Sequence, residues 1–450
     1  MGDRDDREVI GRRVQRLRAE RGMTQRQLAE PAYTPAYIST LEAGRVRPSD
    51  EALRHLAERL GVGYDELATG RPARLATELR LRLTGAHHAL ASGDAALAAA
   101  EYAALLAEAE AHGLEEERAA ALTGLGECAL ETGEPADARG YFERAEECLA
   151  GAPLPARVPA LRGRAVAHQL AGELRYAVHL MESALDELNR GGLHDPDALL
   201  LLYSGVIGPY MDLGAHARAA EAAEFALALA PRAGDPALVA RMHRSVAGTL
   251  LAEGRLAEAD ASLAKAAELY RELRLRTELA NCHWMRGHVH ARNGELARAE
   301  AELRRALEML PAARPHHCRG RAAVELADVL RRDDRPEEAA ELLRSVLDGL
   351  SPRCGTPHAA GVHRLLGLLA EEAGDGGAAE EHYVRALGLL ERGGSASSAG
   401  ELAFLCRLLG DLRRRAGRTE AAMDAYRTGL GHCMAPDQTP LGPAPAPPPL

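Results

Sequence analysis

A glycine recurs through this chain at positions 93, 133, 172, 214, 254, 294, 374 and 417, with Asp334 filling the one gap, at spacings of 39 to 43 residues. Five residues after each stands an alanine: Ala98, Ala138, Ala177, Ala219, Ala259, Ala299, Ala339, Ala379 and Ala422. Four residues further on, eight of the nine positions hold a larger apolar side chain (Tyr102, Phe142, Met181, Leu263, Leu303, Leu343, Tyr383 and Tyr426), and Ala223 is the exception. The physical reading is a helical hairpin. The glycine ends the first helix, where a left-handed backbone is needed. The small alanine lets the second helix approach the first, and the bulkier residue one turn on fills the groove between repeats. Aromatics make up only 3% of the chain, which favours helix over strand. A length of 450 residues suits one small domain followed by a repeat array.

The segment carrying Leu122, Leu125, Gly126, Gly133, Ala138, Phe142 and Ala145 resembles the tetratricopeptide repeat. The resemblance implies an α-solenoid, nine hairpins stacked into a right-handed superhelix with a concave groove. The period of about 40 departs from the 34 of that repeat, and longer helices or longer inter-repeat loops would account for it. Candidate loops are residues 151–156, 311–320, 349–361 and 392–400. The Pro-rich tail from 435 onward reads as disordered.

Ahead of the array the composition changes. Residues 9–60 hold ten Arg against six acidic residues, a local +4 in a chain of net charge −11. A DNA-contacting head on an acidic body fits that split. Val9, Ile10, Val14 and Leu17 have a helical period, so a first helix covers residues 8–21 and Gly22 stops it. Thr24 with Gln27 forms a capping box for a second helix over 25–30. Thr34 caps a third helix with Pro35 at its first position, Ile38 and Leu41 facing inward, and Gly44 at its end. A fourth covers 50–60 and a fifth starts at Tyr64.

The pattern TQ-x-x-LA, then Y-I-S-x-L-E-x-G-x-x-x-P, then L-x-x-L-A-x-x-L-G resembles the XRE-type, lambda-repressor-like helix-turn-helix family. That resemblance implies that the third helix reads a DNA major groove. Carried over, Pro35, Ala36 and Thr40 face bases, and Gln25, Thr34, Tyr37 and Ser39 meet phosphates or groove edges. Pro35 and Ala36 have no side-chain donors and suit only thymine methyl groups. Arg26, Arg45 and Arg47 are phosphate candidates. Glu42 matches a family position that pairs with a first-helix arginine, here Arg18. One departure is visible: the turn before Ile38 is a residue shorter than usual and lacks its glycine, with Pro31 and Tyr33 in its place.

In tetratricopeptide proteins the first helix of each hairpin lines the groove. By that pattern the groove residues are Arg162, Ser204, Arg241, Arg244, Asn281, Trp284, His288, Arg292, Arg321, Asp328, Arg331 and Arg332. A groove basic in its middle suits a peptide or another acidic ligand: Asn281 on its backbone, Arg244 and Arg292 on a carboxylate, Trp284 on an apolar side chain.

Other chemistries find little support. Lys265 is the single lysine and follows no Gly-rich turn, so a Walker A loop is excluded. No paired carboxylates, G-x-S-x-G or HExxH motif suggests an enzyme, and no cofactor is implied. Cys282, His283, His288 and His290 do not place three ligands on one helical face, and His316, His317 and Cys318 are equally loose, so no metal site is expected. Seven cysteines without a CxxC read as reduced cytosolic thiols. The longest uncharged run, residues 198–211, is too short to cross a bilayer.

The expected organisation is all-α: a helix-turn-helix domain at 8–68, a linker at 69–76, a tetratricopeptide-like superhelix at 77–434 and a tail at 435–450. The expected function is a cytoplasmic, dimeric, DNA-binding transcriptional regulator whose repeats sense a peptide or protein or dimerise. The rival is a cytosolic scaffold whose head is vestigial or binds protein.

Overall fold

The computed structural model describes residues 2–69, 74–192, 194–310, 317–349, 356–393, 399–433 and 441–445. Every regular element among them is a helix. Two compact units are formed, residues 1–85 with 103–121, and residues 86–102 with 122–450. The division falls inside the first hairpin, not at residues 69–76, part of which lies outside the described residues.

In the first unit the head comprises α1 (Gly2–Glu20), α2 (Gln25–Ala29), α3 (Pro35–Glu42), α4 (Asp50–Leu60) and α5 (Tyr64–Thr69). The helix α1 begins six residues before the expected position 8. Val14, Leu28, Ile38, Leu41, Leu56, Leu60 and Leu67 bring all five helices into one core. Gly11 lets α1 lie against the end of α3, since a Cβ there would meet the Leu41 carbonyl oxygen at 2.3 Å. Ser49 caps α4, and Gly61 closes it in the left-handed region.

Nine helical hairpins follow among the described residues: α6/α7 (Leu75–Ala91, Ala95–His112), α8/α9 (Glu115–Glu131, Pro135–Cys148), α10/α11 (Leu154–Leu170, Leu174–Gly191), α12/α13 (Pro196–Asp212, His216–Leu229), α14/α15 (Pro236–Ala252, Leu256–Glu272), α16/α17 (Arg276–Arg292, Leu296–Met309), α18/α19 (His317–Arg332, Pro336–Gly349), α20/α21 (Thr356–Glu372, Gly376–Gly393) and α22/α23 (Ala399–Arg415, Thr419–Cys433). All eight periodic glycines have positive φ, and Asp334 adopts the same conformation at φ 59°. After each, the next N–H bonds a carbonyl five residues back, as Glu134 does to Ala129 at 2.9 Å and Arg335 to Leu330 at 2.9 Å. This is the Schellman closure, which satisfies carbonyls the helix end would orphan.

The nine periodic alanines are all buried, eight of them at 0% exposure, so no larger side chain has room at that contact. The bulky residue one turn later reaches the first helices. A Cβ on Gly163 would sit 2.3 Å from the Phe142 ring, so glycine is required for that approach. The long period has its cause in the helices: α10, α12, α14, α16, α20 and α22 each run 17 residues. First helices pack side by side, α10 on α12, α12 on α14, α16 on α18 and α18 on α20. The uncharged run 198–211 forms most of α12 and is almost wholly core. No helix among the described residues is long and apolar enough to cross a membrane.

Of the tail expected to be disordered, residues 441–445 are described, and Leu441 packs on the core centred on α10 to α14. Residues 434–440 and 446–450 lie outside the described residues, as do the side chains of Cys318, Cys354 and Cys433.

Candidate nucleic-acid interface and repeat groove

The head's recognition elements are built by local capping. Gln27 N–H donates to Thr24 Oγ1 at 3.2 Å while Thr24 N–H donates to Gln27 Oε1 at 2.8 Å, a reciprocal box that starts α2. Thr34 Oγ1 accepts from Tyr37 N–H at 3.3 Å and starts α3. The shortened turn between them closes with Tyr33 N–H on Ala29 O at 2.8 Å. The Tyr33 ring then stacks on Tyr37, centroids 5.0 Å apart and planes within 20°, so the turn braces the first turn of α3. Burial raises the Tyr37 phenol above its ordinary value.

Beneath α2 and α3 lies a charged anchor. Arg18 Nε donates to Glu42 Oε1 at 2.6 Å, and its Nη2 donates to Oε2 at 3.1 Å. The third Arg18 nitrogen donates to Met23 O at 2.7 Å, and Gln25 Nε2 donates to Glu42 Oε2 at 2.8 Å. The expected Arg18–Glu42 pair is therefore present, with the Glu42 side chain only 4% exposed. Its bond to Glu42 raises the Arg18 pKa further. The amide of Gln25, assigned above to a phosphate or groove edge, is held by this network.

With the inner face of α3 buried, Pro35, Ala36 and Ser39 are exposed and Tyr37 and Thr40 half-buried. The Thr40 hydroxyl donates within its own helix, to Tyr37 O at 2.8 Å or Ala36 O at 3.0 Å. Thr34, Arg26, Arg45 and Arg47 are exposed, and Arg26 meets Glu30 at 2.9 Å. Arg13 and Arg59, which motif matching did not single out, hold the frame together with Tyr33 of the shortened turn. Arg13 donates to Leu67 O at 2.8 Å, Arg59 to Gln27 O at 2.6 Å, and Tyr33 makes the stack. Arg13 and Arg59 bond backbone carbonyls, which leave no spacing signature.

In the array, several of the expected groove residues converge. Arg244 of α14 meets Glu278 of α16 at 3.3 Å. Burial and the neighbouring Arg241 push Arg162 of α10 down to about 9. Burial would raise Glu278, but Arg244, Arg241, an Asn281 hydrogen bond and Arg162 together hold its carboxyl below the usual range. Glu131 of α8 feels Glu278 and Arg244, and Glu127 acts on Arg162, so residues far apart in sequence share one field. The family pattern sought basic positions and passed over Glu127, Glu131 and Glu278.

The buried polar atoms here without a hydrogen-bond partner include Arg162 Nε, Asn281 Oδ1 and Trp284 Nε1, and also Glu278 Oε2, which Arg244 pairs by charge. The Arg321 guanidinium lies 4.1 Å from the Trp284 ring centre, a cation–π stack that fixes one face of the indole. The remaining expected groove residues are engaged within the fold. His288 Nδ1 lies 2.5 Å from Glu325, Arg292 donates to Leu251 O at 3.1 Å, and Arg332 donates to Ala291 O at 2.8 Å. Arg331 bonds Asp328 at 2.9 Å and also Glu372. Ser204 donates to Leu201 O at 3.3 Å inside its own helix.

The histidines near Cys282 face different carboxylates, His283 toward Glu302 at 2.5 Å and His290 toward Glu295 at 3.0 Å. Burial pushes the Cys282 thiol up to about 12. No group of three or more potential ligands among the described residues could hold a metal ion.

Known proteins align with both parts. A helix-turn-helix domain family matches residues 9–69, and a tetratricopeptide repeat family matches residues 83–153 and 324–397. An uncharacterized HTH-type transcriptional regulator, y4dJ of Sinorhizobium fredii, is 41% identical over 66 residues, which is 14% of this chain and 86% of that protein. Among solved structures, a Rap protein complexed with Competence and Sporulation Factor superposes with a TM-score of 0.57 at 14% identity, over 79% of this chain and 98% of that one. The apo form of the quorum sensor NprR from B. thuringiensis gives 0.52 at 16% identity, over 79% and 99%. At such identities these two likenesses concern the fold alone.

Proposed function

The chain belongs to the helix-turn-helix transcriptional regulators and carries tetratricopeptide repeats behind its head, and from that premise we propose a DNA-binding regulator whose repeats sense a peptide. In this reading α3 lies in the major groove. Pro35 and Ala36 face thymine methyl groups, Ser39 supplies a hydroxyl, and Arg26, Arg45 and Arg47 meet phosphates. One such head contacts too few bases to specify a site, so it acts in the cytoplasm as a homodimer. Replacing Arg45 or Arg47 by alanine is expected to weaken binding to all sequences alike. Each change should reduce the slope of log affinity against log salt by about one, measured by fluorescence anisotropy.

The observation that carries the sensing half is the set of unpartnered buried atoms, Arg162 Nε, Asn281 Oδ1 and Trp284 Nε1. Leaving such groups unpaired costs about 1–3 kcal/mol each, a cost that a bound ligand would remove. A peptide's backbone amide suits Asn281, its carboxylate suits Arg162 and Arg241, and an acceptor such as its carbonyl oxygen suits Trp284 Nε1.

Selection of bound fragments from genomic DNA by the purified full chain tests the output. A recovered sequence preference supports regulation, and its absence favours the scaffold. Screening a short-peptide library by thermal shift tests the input. Hits that raise the melting temperature of the native chain but not of Arg162→Ala or Asn281→Ala support the groove. Hits indifferent to both substitutions remove it.

A further inference from the structure

The second-helix face of the third and fourth hairpins holds a different arrangement. Arg218 of α13 donates from Nη1 to Glu182 of α11 at 3.2 Å. Tyr210 of α12 donates its hydroxyl to the same carboxylate oxygen at 2.6 Å, and the Arg218 guanidinium lies 5.9 Å from the Tyr210 ring centre. Glu182 and Tyr210 thus hold the guanidinium in one place, with the Arg218 side chain only 20% exposed. Its Nη2 donates to two successive backbone carbonyls of the tail, Leu441 O at 3.2 Å and Gly442 O. The Leu441 side chain packs on the neighbouring core, and residues 443–445 (Pro-Ala-Pro) follow without regular secondary structure.

The geometry points to a docking site for an extended, proline-rich segment on the Glu182–Tyr210–Arg218 face, with residues 441–445 of this same chain as its occupant. The chemistry suits such a segment. Proline offers no N–H, so strand-to-strand pairing is closed to it, and its exposed carbonyls are what a partner can bind. A planar guanidinium held in place by Glu182 and Tyr210 supplies the donors, while the apolar core centred on α10 to α14 takes the leucine. Reach permits the intrachain arrangement. Eight residue steps separate Cys433 from Leu441, a span of up to roughly 27 Å. The guanidinium and the carboxylate that hold the tail, Arg218 and Glu182, lie on second helices, whereas the groove residues lie on first helices.

A photo-cross-link in the full chain tests the assignment. Leu441 is replaced by p-benzoylphenylalanine, the dilute protein is irradiated, and the cross-linked peptides are mapped. The expected products are intrachain links to residues 174–229. Arg218→Ala should lower their yield by about tenfold, the loss of two charge-assisted bonds. Arg218→Lys keeps the charge but not the fork, and should lower it as well while leaving the helical circular dichroism unchanged. Links confined to α22 and α23, or yields indifferent to both substitutions, overturn the proposal. Links between two chains that grow with concentration also overturn it, in favour of a second copy's tail. None of these readouts depends on a ligand in the groove.

Discussion

Single residues decide how firmly the head is held. Glu42 sits under α3 with Arg18 and Gln25 bonded to it, so Glu42→Leu strands a part-buried arginine charge. Breaking a buried pair from one side costs about 3–5 kcal/mol. The unfolding free energy of the head, extrapolated from urea titration, should fall by that amount, with loss of DNA binding. Ser39→Ala, on the exposed face, should weaken binding without moving the transition. A second residue-scale effect comes from His363 and His382, whose Nδ1 atoms lie 3.1 Å apart between α20 and α21. Burial, their proximity and Arg385 lower His363, and burial and Arg385 lower His382, with Glu381 opposing in both. Below about pH 6.5 the unfolded chain takes up protons that the folded pair resists. Stability should therefore be full above that pH and fall as pH drops through the lowered folded values. His382→Gln should flatten the decline in a thermal-melt series from pH 7.5 to 5.

At the scale of the helix and its turn, the hairpins obey one rule with one exception. Eight of the nine closures use glycine at positive φ, and Asp334 takes the same conformation with a side chain attached. That conformation costs an ordinary residue roughly 1–2 kcal/mol. Asp334→Gly should raise the unfolding free energy extrapolated from urea titration by an amount near the lower figure. The reverse holds where a glycine admits a neighbour's ring. A Cβ on Gly410 would lie 2.4 Å from Tyr426, so Gly410→Ala should destabilise the last hairpin by about 1–3 kcal/mol, read as faster amide exchange in α22 and α23. These hairpins were legible because turn closure and close helix approach each demand one residue type at one spacing. The helix caps Thr24 and Thr34 were legible for the same reason, and the Arg18–Glu42 pair through the family resemblance. Contacts to backbone carbonyls were not, since Arg13 and Arg59 could bond any residue's C=O. The acidic members of the groove field were missed because no residue-type rule links α8 to α14 and α16.

For the whole molecule, charge placement shapes DNA binding. Residues 9–60 are net positive by four while the full chain totals −11. A chain of net charge −11 and polyanionic DNA repel each other overall, an effect screened within about 10 Å at 0.1 M salt. The observed salt slope at low ionic strength should therefore be shallower than the number of phosphate-facing arginines suggests.

Lys265 projects from α15 with its side chain half exposed, beside Glu268 at 2.7 Å. Its solitude has a practical consequence. Amine-directed chemistry, whether an enzyme's acetyl transfer or a chemist's fluorescent ester, finds one side-chain target in the array. Digestion at basic residues cuts almost entirely after arginine. A dye on Lys265 would report on the middle of the repeats from a known address, without removal of a single competing lysine.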